Sequence, residues 1–156
     1  MTETSAAAGV DGNIRKFPPN PDNSCFGCGG ASAHGMKLAF EADSSTGRVT
    51  GKLRIGADFQ GSMGVLHGGI IATVLDEAMG KLCRLRDVRA VTAELTIEYL
   101  KPIHVDQDIF VEAHETKHIG RQMYHAAEIR NAEGAVLARG HGRFVVIDPS
   151  RLVKKT

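Results

Sequence analysis

The stretch GVLHGGIIATVLDEAMGKLCRLRDVRAVTAELTIEYLKPI, residues 64–103, changes its period once, and that change decides the fold. From Gly68 onward, Ile71, Val74, Leu75, Ala78 and Leu82 recur at three- and four-residue steps, the apolar stripe of a helix over 68–85. The cations of KLCRLRDVR, Lys81 to Arg89, suit the negative end of that helix. Beyond Val88 the pattern alternates. Val91, Ala93, Leu95, Ile97 and Tyr99 take turns with Thr92, Glu94, Thr96 and Glu98, the period of a half-exposed strand.

Outward from this stretch, MKLAFEA (36–42) and RVTGKLRI (48–55) read as strands joined by the turn DSSTG. Strands are also expected at 107–118, 121–131 and 135–147, with HIGR and NAEG as the turns between them. The order is two strands, one long helix, then four strands, which predicts an α+β protein with a six-stranded antiparallel sheet. One helix cannot cover both faces of such a sheet, so an uncovered face or edge should meet a second subunit in a symmetric homodimer. Residues 1–23, ending in KFPPNPDNS, read as a flexible arm, 24–148 as the folded domain, and 149–156 as a tail.

A length of 156 residues suits one domain. Lys plus Arg number 19 against 18 for Asp plus Glu, which argues against a nucleic-acid surface. No apolar run reaches the ~20 residues of a bilayer span, and no secretory signal is legible at the N-terminus. Three cysteines suit a reducing compartment, so a cytoplasmic location is expected.

A second helical stripe runs Gly69, Ala72, Thr73, Asp76, Gly80, small everywhere except for one carboxylate. At the helix start, Gly68 and Gly69 leave the first N–H donors unobstructed at the positive end of the dipole, a place for an oxygen acquiring negative charge. Asp76 follows His67 by nine residues, about 13 Å along the axis at 1.5 Å per residue. If the two ends cooperate on one substrate, a neighbouring subunit must bring its Asp76 to this helix start. Spacing alone leaves a solvated Asp and an ordinary helix-start turn equally open. Glu77 projects about 100° away from Asp76, where a structural role is the plainer reading.

CFGC (Cys25, Cys28) has zinc-knuckle spacing and His34 is nearby, but a structural zinc needs four ligands and no second CxxC supplies the rest. The loop is therefore expected to pack rather than to bind metal. Cys83 reads as a buried hydrophobe. His104, His114, His118, His125 and His141 lack ligand spacing and read as structural.

The run FQGSMGVLHGGIIATVLDEAMG, followed by AVTAELTIEYLKPI, HIGRQMYHAAEI and GHGRFVVI, resembles the hotdog-fold acyl-CoA thioesterases, in the branch around the phenylacetate-pathway (PaaI-like) enzymes. CFGCG and HGMKLAF belong to the same likeness, which covers roughly residues 24–148. The resemblance implies a long central helix wrapped by an antiparallel sheet, and a homodimer, with dimers pairing further, whose sites lie between subunits. It implies hydrolysis of an acyl-CoA without metal or separate cofactor, coenzyme A being part of the substrate. It makes Asp76 the general base, or a nucleophile through an acyl anhydride, and the Gly68 N–H the donor to the thioester carbonyl. His67 then fixes the turn or contacts substrate. Gln60 orients the acyl group or water, although it precedes His67 by seven residues where some relatives use six. Thr92, sixteen after Asp76, matches a threonine near the carboxylate. Phe59, Met63, Gly69 and Glu77 fall to the substrate contacts, and Lys117, Gly120 and Arg121 to the nucleotide of coenzyme A. A hotdog hydratase or dehydratase and a non-catalytic acyl-CoA-binding protein are the competing readings.

Overall fold

The computed structural model describes residues 10–152. Eight strands form one sheet: β1 (Val10–Asp11), β2 (Ile14–Phe17), β3 (Phe40–Asp43), β4 (Arg48–Arg54), β5 (Ala90–Tyr99), β6 (Asp108–Ile119), β7 (Gln122–Arg130) and β8 (Val136–Val146). Their spatial order is β1-β2-β3-β4-β6-β7-β8-β5, and every pairing is antiparallel. One α-helix among the described residues, α1 (Gly68–Leu85), lies on the sheet. This is the expected hotdog arrangement of one long helix against an antiparallel sheet.

The helix buries the stripe read from its period, Ile71, Val74, Leu75, Ala78 and Leu82, and widens it with Met79 and Cys83. Against it stand the inward residues of the strands, among them Ala42, Val49, Val111, Met123, Ile129 and Phe144. Alternation is visible directly in β7, where Met123, His125, Ala127 and Ile129 are buried and their neighbours are not. Burial of this kind is worth roughly 25 cal/mol per Å² of apolar surface, which is why the helix sits where it does.

The sheet has eight strands where six were expected, because residues 10–17, assigned to the flexible arm, supply β2, which pairs with β3, and β1, which pairs with β2. Ile14 stands opposite Asp43 and Phe17 opposite Phe40. Arg15 holds this pair of strands to the end of α1, donating from Nη1 to the Arg84 carbonyl at 2.9 Å and lying 5.0 Å from the Phe17 ring centroid. Residues 1–9 of the expected arm lie outside the described residues, as do 153–156 of the tail. The strand expected from residue 36 starts at Phe40, since the Met36 and Leu38 N–H groups donate instead to Phe26 and Gly27 carbonyls at 2.8 and 2.9 Å. β5 stops at Tyr99, short of residue 103. There the Leu100 and Lys101 N–H groups both turn to the Leu137 carbonyl, and Pro102 has no N–H to continue the ladder.

β5 forms one edge of the sheet and is ten residues long. Val91 and Tyr99, both on this strand, are exposed large hydrophobics, as is Leu100 just beyond it. A long edge strand with exposed apolar side chains is a surface that proteins cover.

Candidate active site

The helix start is built by local hydrogen bonding. The His67 N–H donates to the Phe59 carbonyl at 3.0 Å, which fixes the chain as it enters α1. His67 is the N-cap, in extended conformation, and its Nδ1 accepts from the Gly69 N–H at 2.9 Å. The His67 carbonyl takes the N–H groups of Ile70 and Ile71. Of the two donors read as unobstructed, Gly69 is therefore committed to the cap. The Gly68 N–H meets no acceptor among the described residues. A third group was not read from the sequence: the Tyr99 hydroxyl, on β5, donates to the Gly68 carbonyl at 2.8 Å. A cavity of about 510 Å³ opens beside this turn, with Phe26, Phe59, Gln60, His67, Gly69 and Ile70 in its walls. Phe26 and Phe59 meet edge to face, 6.2 Å between centroids. Met63 is 97% exposed in a turn with φ of 53° and is not among those walls.

Asp76 lies two turns further along. Thr92 Oγ1, on β5, donates to Asp76 Oδ1 at 2.7 Å. Burial holds the Asp76 carboxyl above its ordinary range; the Thr92 hydrogen bond pulls it back, and the Glu77 charge adds to the rise. A carboxylate that stays basic while its orientation is fixed is suited to taking a proton. Asp76 and Thr92 face a second cavity of about 500 Å³, which Lys81, Arg84 and Arg89 also line. This cavity shares no wall residue with the one at the helix start. Gly68 itself lines neither of these cavities; it borders a third, of about 270 Å³, with Tyr99 and Leu100, and within one chain the carboxylate and the free donor thus lie apart.

Glu77 borders the Asp76 cavity, and each of its carboxylate oxygens has a neighbour of its own. Lys81 Nζ donates to Oε2 at 3.3 Å, and Cys25 Sγ lies 3.6 Å from Oε1. Lys117 Nζ sits 5.6 Å over the Tyr124 ring, and Gly120 makes the turn between β6 and β7 with φ of 57°. Arg121 Nε and Nη2 both reach the Val146 carbonyl, at 3.2 and 3.1 Å. None of these three lines the Asp76 cavity, yet the register places their turn at its end of the sheet: Gln122 pairs with Val145, which pairs with Val91, next to Thr92. The cations that do line the cavity were read only as a helix end; two of them, Lys81 and Arg84, stand on the helix itself. Their signal was their spacing, four and seven residues after Glu77, which puts them on its face of the helix.

One long helix on an antiparallel sheet, with a donor turn at its start and a held carboxylate two turns on, defines a hotdog-fold protein. The family profile described as Thioesterase superfamily matches residues 63–138. Over those residues, just under half of its length, the chain is similar to this superfamily. It is similar to human acyl-coenzyme A thioesterase 13, with 28% identity over 100 residues covering 62% of this chain and 71% of the relative. Among solved structures, protein RHA08564, a thioesterase superfamily protein, superposes with a TM-score of 0.67 and 28% identity. That match covers 72% of this chain and 55% of RHA08564, so the chain spans about half the length of that relative. The E. coli PaaI protein of the phenylacetic acid degradation operon shares the fold, with a TM-score of 0.62 and 20% identity over 65% of this chain and 74% of its own. Among the described residues no helix is long and apolar enough to cross a membrane.

Proposed function

We propose that the chain is an acyl-CoA thioesterase whose catalytic centre is completed across a homodimer, with no metal or separate cofactor in the reaction. The observation that carries this reading is the pairing of Asp76 with Thr92 in a cavity apart from the one that the free Gly68 donor borders with Tyr99. Both half-sites are anchored to the same edge strand. Thr92, near one end of β5, holds Asp76, and Tyr99, at the other end, holds Gly68. A two-fold contact pairs an edge strand antiparallel with its own copy. Such pairing along β5 sets the Tyr99 end of one subunit against the Thr92 end of its partner, and so brings a Gly68 donor towards a partner carboxylate.

The thioester carbonyl then lies at the Gly68 N–H, with its acyl group toward Phe26, Phe59, Ile70 and Gln60. Asp76 takes a proton from water as the water oxygen attacks the carbonyl carbon. Negative charge moves to the carbonyl oxygen, held by the Gly68 N–H and the helix dipole. Collapse breaks the C–S bond, and the departing coenzyme A thiolate takes the proton from Asp76. In the alternative course an Asp76 carboxylate oxygen attacks the carbonyl carbon, the C–S bond breaks to release coenzyme A thiolate, and an acyl anhydride forms; heavy oxygen in the Asp76 carboxylate after a single turnover in isotopically heavy water would identify this course, with water opening the anhydride at the Asp76 carbon. Lys81, Arg84 and Arg89 supply positive charge along the cavity for the phosphates of coenzyme A, with Arg121 at the same end of the sheet.

The test is free-thiol release from a panel of acyl- and aryl-CoAs by the wild type, Asp76→Ala and Asp76→Asn. Turnover should fall by about 10²–10⁴-fold in both variants, the usual worth of a positioned base. Undiminished turnover would remove Asp76 from the mechanism. Binding of acyl-CoA with no thiol released across the panel would make the protein a binding module, and hydration of an enoyl-CoA would make it a hydratase.

A further inference from the structure

The loop of Cys25 and Cys28 rests on α1 one residue away from Asp76, and it does more than pack. The Gly29 N–H donates to the Cys25 carbonyl at 2.9 Å, a tight turn that brings the two cysteines together. Cys25 Sγ, Cys28 Sγ and a Glu77 carboxylate oxygen all lie within 4.8 Å of one another. The seat is close: a Cβ added to Gly27 would stand 2.5 Å from Glu77 Oε1, so the loop backbone lies directly against that side chain. All three donors are half-buried and line the cavity that Asp76 faces. His34, the ligand suggested by proximity in sequence, is elsewhere, in the wall of the cavity at the helix start.

We propose that Cys25, Cys28 and Glu77 bind one thiophilic divalent cation of the zinc class, with a water from the cavity as the fourth ligand. Two sulfurs and one carboxylate oxygen are a donor set that zinc favours over magnesium or calcium. With bonds of about 2.3 Å to sulfur and about 2.1 Å to oxygen, a tetrahedral centre spaces its donors roughly 3.5–3.8 Å apart. The Cys25–Glu77 contact of 3.6 Å already has that spacing. Binding releases two thiol protons to solvent, leaving two thiolates, one carboxylate and a dication with a net charge of minus one. Lys81, 3.3 Å from the other Glu77 oxygen, balances that charge. The missing ligand of the CxxC pair is thus supplied by the helix, 49 residues beyond Cys28, where no linear zinc pattern would show it. The ion would clip the loop to the turn of α1 that carries Asp76. This inference stands whether or not the chain hydrolyses thioesters.

The test is a titration of the reduced, metal-free full chain with Co²⁺ under anaerobic conditions, followed by displacement with Zn²⁺. Thiolate-to-cobalt charge-transfer absorption should saturate at one ion per chain and vanish on adding Zn²⁺. Cys28→Ser should abolish the two-thiolate spectrum, while Cys83→Ser should leave it unchanged. Glu77→Gln keeps the shape of the side chain, so it tests the site even if the cysteine variant misfolds. It should weaken Co²⁺ binding at least about tenfold, since even outer-shell partners of a metal are worth about 10–100-fold. The proposal is overturned if no charge-transfer absorption develops, if the spectrum survives in Cys28→Ser, or if Glu77→Gln binds as tightly as the wild type. A chain that lacks two free thiols before reduction and binds no cobalt afterwards would make the pair a disulfide instead, and would equally overturn it.

Discussion

Replacing Gly68 with proline removes one hydrogen-bond donor and little else, which makes Gly68→Pro the sharpest probe of a shared site. Gly68 is the first helical residue of α1, where proline is well tolerated because its missing N–H has no intrahelical partner. His67 already has the extended backbone, with ψ of 138°, that a residue before proline prefers. A Cβ on Gly68 would sit 3.4 Å from the Tyr99 hydroxyl, an ordinary contact. Stability should therefore change by less than about 1 kcal/mol, in the range of substitutions that disturb no cavity, cap or buried polar group. Turnover should fall by about 10²–10³-fold, or about 2.7–4 kcal/mol, the worth of one oxyanion donor. Asp76→Asn should be equally poor, for the other reason. The decisive measurement is their mixture, unfolded together and refolded at equal concentration. Half of the dimers are then mixed, and each mixed dimer pairs one intact Gly68 with one intact Asp76 across the interface. Activity should rise to about a quarter of the wild type. Mixed dimers, demonstrated by mass, that remain as inactive as either parent would refute the shared site.

Two further outcomes follow from buried charge. Asp76→Asn should melt at a higher temperature than the wild type at neutral pH, because the amide keeps an acceptor for Thr92 while removing a carboxylate whose ionisation burial opposes; a lower melting temperature would contradict that account. His125, buried at 1% exposure and stacked 4.9 Å from Phe144, has its pKa lowered below 6.5 first by burial and by Arg86, against the pull of Glu115 3.6 Å away and of the Met79 backbone. The unfolded chain then takes up a proton at this histidine before the folded one does, so its contribution is present above pH ~6.5 and is lost as pH falls below it. His125→Phe should flatten the decline in urea midpoint between pH ~6.5 and ~5, and an unchanged decline would place the acid sensitivity elsewhere.

The parts legible in the sequence were those governed by period. The stripe from Ile71 to Leu82 and the alternation from Val91 to Tyr99 are local patterns, and both elements form within a residue or two of where the patterns place them. The strand at 14–17 was missed because four residues with prolines after them carry too short a pattern; it forms because β3 offers an unpaired edge and Arg15 reaches the end of the helix. The family likeness singled out Asp76 and Thr92 separately, while the hydrogen bond between them joins residues sixteen apart on different elements. The commitment of the Gly69 N–H to His67 was invisible for a different reason. Two glycines in sequence offer two donors, and only the cap geometry shows that one of them is used.

Asp76 and Glu77 show why adjacent carboxylates need not share a role. A step of about 100° around the helix turns Asp76 toward β5, where it meets a single neutral donor, and turns Glu77 toward the N-terminal loop, where it meets an ammonium and two thiols. An acid that must accept a proton is better served by the first environment, since a fixed hydroxyl orients it without the full stabilisation of a counter-charge. An acid that must hold a loop in place is better served by the second. Both side chains nonetheless face one cavity, and its walls come from the helix, β5 and the loop together. The position of that loop therefore sets the shape of the space in front of the Asp76 carboxylate, and a cation bound at Glu77 would act on the reaction through packing rather than through chemistry of its own.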